Sequence, residues 1–140
     1  MARTAPLVLV LAWLLAGVPA AAEHEVYYRY TVLGFVTDAR GAPLAGTPLE
    51  LVRDKTGFSY HAETDDRGFY LIVSRLGDES VGETLTLKLG RASTKLTAQF
   101  DRANHTDERG TRIDLEGAKF VERTAWFRST LANALGPQKR

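Results

Sequence analysis

The chain has 140 residues, one domain's length, and its 44% hydrophobic and 25% charged residues exclude a disordered or fibrous class. Eighteen basic and 17 acidic side chains give a formal net charge of +1, which makes no electrostatic case for nucleic acid or an anionic membrane. Cysteine is absent, so disulfides, thiolate metal sites, a cysteine nucleophile and a cysteine-borne lipid anchor are excluded.

Residues 1–22 differ from the rest. Arg3 is their only charge, Leu7 to Val18 is an uninterrupted apolar run, Pro19 breaks it, and Ala20-Ala21-Ala22 precedes the first acid, Glu23. A basic start, an apolar stretch of about 7–15 residues and a small-residue site describe a secretory signal peptide. The run falls short of the roughly 20 apolar residues of a membrane span, which sets cleavage after Ala22 ahead of an uncleaved N-terminal anchor. Export without disulfides points to a bacterial periplasmic or secreted protein, with no membrane span after cleavage. Losing Arg3 leaves 17 bases against 17 acids in residues 23–140.

Residues 23–117 read as an all-β domain. Val26 to Thr37 is rich in β-formers, with Gly34 as a bulge or a point of close approach. Asp38-Ala39-Arg40-Gly41 is a turn, and Pro43-Leu44-Ala45-Gly46 is turn-compatible. Thr47 to Arg53 is a strand with Leu49 and Leu51 inward, and Asp54 to Gly57 turns the chain again. Phe58 to Thr64 and Phe69 to Val73 flank the turn Asp65 to Gly68, a pattern that predicts a central hairpin. A polar loop from Arg75 to Glu83 leads to Thr84–Leu89, which alternates with Leu85, Leu87 and Leu89 on one face. Ser93 to Phe100 and Thr111 to Leu115 complete about seven strands, separated by Gly90-Arg91-Ala92 and the charged loop Asp101 to Gly110. Short strands between Gly and Asp turns, without intervening helices, predict an antiparallel β-sandwich.

The period changes in residues 118–140. Phe120, Phe127, Leu131 and Leu135 share a helical stripe, and Gly136-Pro137 stops it, which predicts an amphipathic helix over about 118–135. Residues 117–140 carry five bases against one acid, the pattern of a solvated helix face and tail. Trp126 falls opposite the stripe, so either the stripe packs on the sandwich and Trp126 is a surface residue, or the helix docks on a partner or a membrane face.

Gly34-Phe35-Val36-Thr37-Asp38, then Gly41 and Pro43-Leu44-Ala45-Gly46, then Thr64-Asp65-Asp66-Arg67-Gly68-Phe69-Tyr70 resembles the carboxypeptidase regulatory-like domain. That family's pattern is a Gly-x-Val-x-Asp start, a Gly-x-Pro-Leu-x-Gly turn and a Thr-Asp-x-x-Gly hairpin, all present here in order over residues 32–90. The resemblance implies a transthyretin-like (prealbumin-like) sandwich, a module generally non-catalytic and usually appended to another domain. The transthyretin fold also hosts a purine-pathway hydrolase, whose C-terminal Tyr-Arg-Gly-Ser signature is missing from Gly136 to Arg140. It hosts non-haem iron dioxygenases as well, whose iron is held by two Tyr and two His, and no pattern ties the tyrosines here to His61 and His105.

The residues themselves show little catalytic equipment. His24, His61 and His105 form no metal-ligand spacing, and no serine sits in a nucleophile elbow. Asp101, His105, Asp107 and Glu108 compose either a cation-chelating loop or a solvated acidic loop balanced by Arg102 and Arg109. The chain is therefore expected to be no enzyme and to use no cofactor. Tyr27, Tyr28 and Tyr30 put aromatic rings on both faces of the first strand, one set in the core and the other a ligand platform or a covered sheet face. The expectation is an exported module binding a protein partner in the cell envelope through an exposed edge strand or the C-terminal helix, with Tyr27, Tyr28, Tyr30 and Trp126 as candidate surface residues. The alternatives are a small-ligand or carbohydrate-binding domain and a metal-binding protein.

Overall fold

The computed structural model describes residues 28–135. The signal peptide, Tyr27 and the stop at Gly136-Pro137 lie outside them. Eight strands form two four-stranded sheets, a β-sandwich. They are β1 (Tyr30–Thr37), β2 (Pro48–Arg53), β3 (Ser59–Glu63), β4 (Phe69–Ser74), β5 (Thr84–Leu89), β6 (Ala92–Thr97), β7 (Gly110–Glu116) and β8 (Lys119–Glu122), followed by helix α1 (Phe127–Leu135). One sheet runs β4-β1-β7-β8 and the other β3-β2-β5-β6.

Alternation places the core. Leu49 and Leu51 of β2, Leu85 and Leu87 of β5, and Leu96 of β6 meet Tyr30, Val32 and Val36 of β1, Tyr70 and Ile72 of β4, and Ile113 and Leu115 of β7. Each such side chain contributes roughly 1.5–3 kcal/mol on burial. β1 is buried on both faces, because Leu33 on its outer side joins Phe69 and Phe127 in a second apolar cluster under α1.

Three features depart from the sequence reading. The corner Asp65 to Gly68 forms as a turn, with the Gly68 N–H donating to the Asp65 carbonyl at 2.9 Å, but it is no hairpin. β3 pairs with β2 and β4 with β1, so the corner carries the chain from one sheet to the other. Its surroundings decide this. The Thr64 hydroxyl donates to the Leu44 carbonyl at 2.6 Å and accepts from the Thr47 N–H at 2.8 Å. A Cβ on Gly68 would come within 2.4 Å of the Val36 carbonyl oxygen, so the left-handed glycine (φ 77°) also lets the corner press on the end of β1.

The sandwich is also not wholly antiparallel: β1 and β7 run parallel, with Thr31 opposite Gly110 and Val36 opposite Leu115. Gly34 marks close approach, since a Cβ there would lie 1.9 Å from the Ile113 carbonyl oxygen. Finally, the helix expected over 118–135 begins as a strand. Lys119–Glu122 is β8, paired with β7 so that Phe120 lies opposite Leu115 and packs on the core. The α-helix covers only Phe127–Leu135, after a single 3-10 turn at Thr124–Trp126, and the stripe holds in part: Phe127 is buried with Leu131 and Ala134 packed beside it, whereas Leu135 is exposed.

Candidate functional site

The two sheets are open along the side where edges β3 and β4 lie near each other. There, a cleft of about 650 Å³ is lined by Tyr28, Arg29, Tyr60, Val73, Arg75, Gly77 and Glu79. Tyr28 sits just before β1 and is 43% exposed, as is Val73 of β4. Tyr60 comes from β3, with the exposed ring of Phe58 edge-on to it at 5.1 Å between centroids. Arg29 is neutralised by a two-pronged ion pair to Glu108. Glu79 folds over Gly77, where a Cβ would meet its carboxylate at 2.7 Å.

The four residues expected to form a partner surface separate. Tyr28 lines the cleft. Tyr30 does not contribute, because it is 1% exposed in the core, where burial holds its hydroxyl protonated well above the usual tyrosine range. Tyr27 lies outside the described residues. Trp126 is half exposed, yet it covers a charged cluster rather than standing free. The guanidinium groups of Arg112 and Arg123 lie 5.3 and 5.4 Å from its ring. Both pair with the buried carboxylate of Asp114, which also accepts the Phe35 N–H at 2.9 Å. Arg112 further donates to the Thr130 hydroxyl at 2.9 Å, so this cluster ties α1 to β7.

The expected turn residues take their places. Asp38 Oδ1 accepts the N–H groups of Arg40 and Ala42, the Gly41 N–H donates to the Asp38 carbonyl, Pro43 bridges Thr37, and the Gly46 N–H donates to the Thr64 carbonyl.

The acidic loop does not converge. Asp101 caps the Ala103 N–H, Asp107 pairs with Arg128 at 3.5 Å, Glu108 binds Arg29, and His105 hydrogen-bonds Asp78 at 2.8 Å. Among the described residues, no three His, Asp or Glu side chains gather as a metal site. Asp78 also accepts from Arg109, whose side chain is buried and lies 4.0 Å over the Phe100 ring. Arg109 first, then His105, holds the Asp78 carboxyl below the usual range. His61 bonds Ser59 along β3.

Tyr60, Val73 and Arg75 were missed from sequence. Phe58 and Tyr60 repeat at the two-residue period of one strand face, but their pairing with Tyr28 depends on the sheet crossover. No helix among the described residues is long and apolar enough to cross a membrane.

No family model matches the chain, and no curated protein matches it. Among solved structures, the chain is similar to the dioxygenase domain of a dioxygenase–carbohydrate-binding protein fusion from Streptomyces sp. SirexAA-E. The identity is 17% and the TM-score 0.39, covering 68% of this chain and 75% of that one. It is likewise similar to 3-chlorocatechol 1,2-dioxygenase from Rhodococcus opacus 1CP, at 16% identity and a TM-score of 0.39, covering 72% of this chain and 59% of that one.

Proposed function

We propose that the protein is an exported, non-catalytic binding module of the carboxypeptidase regulatory-like kind that recognises a protein partner in the bacterial cell envelope. The observation that carries this reading is the side cleft, where two tyrosine rings, an aliphatic wall and charged groups converge beside open sheet edges. Tyrosine suits protein contact because it presents a rigid apolar body with a polar tip, and guanidinium groups are likewise favoured at interfaces. The ordered Gly and Asp corners support the family assignment, and the signal-like residues 1–22 support export. Affinity capture from envelope extracts tests it. The protein should retain a specific partner that a Tyr28→Ala, Tyr60→Ala double variant loses. Recovery of a low-molecular-weight compound instead of a protein overturns the reading.

A second reading, a small-ligand or carbohydrate-binding domain, is favoured by the cleft's 650 Å³, within the span of small-molecule sites, and by its two ring walls. A sugar panel should then raise the melting temperature of the native protein and not of Tyr60→Ala. No shift with any sugar removes this alternative.

A further inference from the structure

Building on the reading of the cleft as a protein-recognition surface, we propose that β4 is a docking strand. Its free edge pairs with an extended, acidic segment of the partner polypeptide, whose carboxylate is received by Arg75.

The hydrogen-bond phase of β4 fixes which groups are on offer. The Val36 N–H donates to the Gly68 carbonyl at 2.8 Å, and the pairs Gly34–Tyr70, Val32–Ile72 and Tyr30–Ser74 follow at two-residue steps. These pairs exchange the ladder bonds, so Phe69, Leu71 and Val73 turn their N–H and C=O groups away from β1. β1 confirms the phase: the Thr31 N–H points the other way, to the Arg109 carbonyl at 2.9 Å. At Phe69 the edge is closed. Its carbonyl accepts the Asp65 N–H at 2.9 Å, and its N–H donates to Asp65 Oδ1 at 3.0 Å. At Leu71 and Val73, no backbone partner from β3 or any other described residue takes those groups.

An edge of this kind is a template for another strand, and proteins usually blunt it with charge, proline or a bulge. The other edges are so marked: β3 carries His61 and Glu63, β6 carries Lys95, and β8 carries Lys119 and Glu122. β4, Phe69 to Ser74, carries no charge and no proline. Strand addition also needs room for side chains that alternate to either side. The 650 Å³ cleft offers it at one side of Val73, and a 190 Å³ hollow walled by Leu71, Val73, Leu131 and Leu135, with Thr31 and the Arg29–Glu108 pair at its border, offers it at another. The charge follows from the group next to the strand: Glu79 on the cleft wall is folded over Gly77, and the cations are Arg29 and Arg75. Arg29 is matched by Glu108, whereas exposed Arg75, directly after β4, makes no hydrogen bond or ion pair among the described residues. A planar guanidinium beside a strand edge suits a carboxylate held in two-pronged fashion.

The test uses a random heptapeptide phage library panned on the purified, immobilised protein. Enriched clones should carry an acid within a run of β-forming residues. A synthetic peptide of that sequence should slow amide exchange at Leu71 and Val73. N-methylation of its alternate amides should weaken binding by about tenfold, the loss of one or two main-chain hydrogen bonds, with the protein itself unaltered. Val73→Pro and Arg75→Glu should weaken it likewise. Peptides that bind Val73→Pro as tightly, and leave Leu71 and Val73 exchanging, overturn the docking strand while the protein-recognition reading stands. No enriched clone, together with no protein captured from envelope extracts, overturns both. Dimerisation of the native protein that Val73→Pro abolishes assigns the edge to a second copy and overturns the acidic segment.

Discussion

At Gly34 the space left for a side chain is less than one methyl group. A Cβ would lie 1.9 Å from the Ile113 carbonyl oxygen and 2.7 Å from its carbon, and these nearest atoms are backbone of the neighbouring strand rather than a flexible side-chain end that could yield. That same oxygen accepts the buried Tyr70 hydroxyl at 2.6 Å, so any shift of β7 also breaks this bond. Gly34→Ala should therefore lose on the order of 3 kcal/mol of stability in urea unfolding, the upper range for overpacking, through displaced backbone rather than lost burial. Unfolding at the native midpoint would exclude the close approach. Tyr70 and Tyr30 make a second case. Burial raises both hydroxyls well above the ordinary tyrosine value. Because the folded state prefers the protonated phenol, their contribution is fully present below pH of about 10 and is lost as pH rises above it. Absorbance at alkaline pH should show two tyrosines ionising only together with unfolding. Free titration of all of them in the native state would contradict the burial.

At the scale of elements, the end of β2 is clamped to the chain entering β5. Arg53 donates to both oxygens of Glu83, at 2.7 and 2.6 Å, and to the buried Ser80 hydroxyl at 3.2 Å. The Arg53 guanidinium holds the Glu83 carboxyl below its usual range. A lowered carboxyl contributes stability above its unfolded value of about 4.3, lost as pH falls through the folded one. Glu83→Gln should lower the urea midpoint at pH 7, and the gap to the native protein should narrow progressively as pH falls below about 4. A gap that does not change with pH would mean that Glu83 acts through packing. Elements were also where sequence reading succeeded and failed. β5 was legible because Leu85, Leu87 and Leu89 alternate without exception. The Asp65–Gly68 corner was legible as a turn but not as a crossover: Asp and Gly fix local backbone, whereas the contacts of Thr64 and Gly68 with the 43–47 segment and β1 decide which sheet β4 joins. Lys119-Phe120-Val121-Glu122 was misread because two adjacent apolar residues fit either period. The cleft stayed hidden because Tyr28, Tyr60 and Arg75 meet only through that crossover.

For the whole molecule, the question is whether α1 and the sandwich unfold as one. The outer cluster of Leu33, Phe69 and Phe127 is built on the same strands, β1 and β4, whose other faces carry Val32, Val36, Tyr70 and Ile72 of the inner core. Loss of either layer therefore loosens the other. The Arg112–Asp114–Arg123 cluster adds a polar tie, because removing α1 would leave the nearly inaccessible Asp114 carboxylate with a weakened shell, a costly state for a buried charge. Trp126 lies over this tie and is the only tryptophan in residues 23–140, so its fluorescence reports on the junction. Its urea transition should coincide with that of far-ultraviolet circular dichroism, the mark of a single cooperative unit. Phe127→Ala, which empties the centre of the outer cluster, should move both transitions together by about 3 kcal/mol. A fluorescence transition that precedes the loss of β-structure, or a Phe127→Ala that shifts only the fluorescence, would make α1 a separately melting appendage and would deny the two clusters their shared foundation in β1.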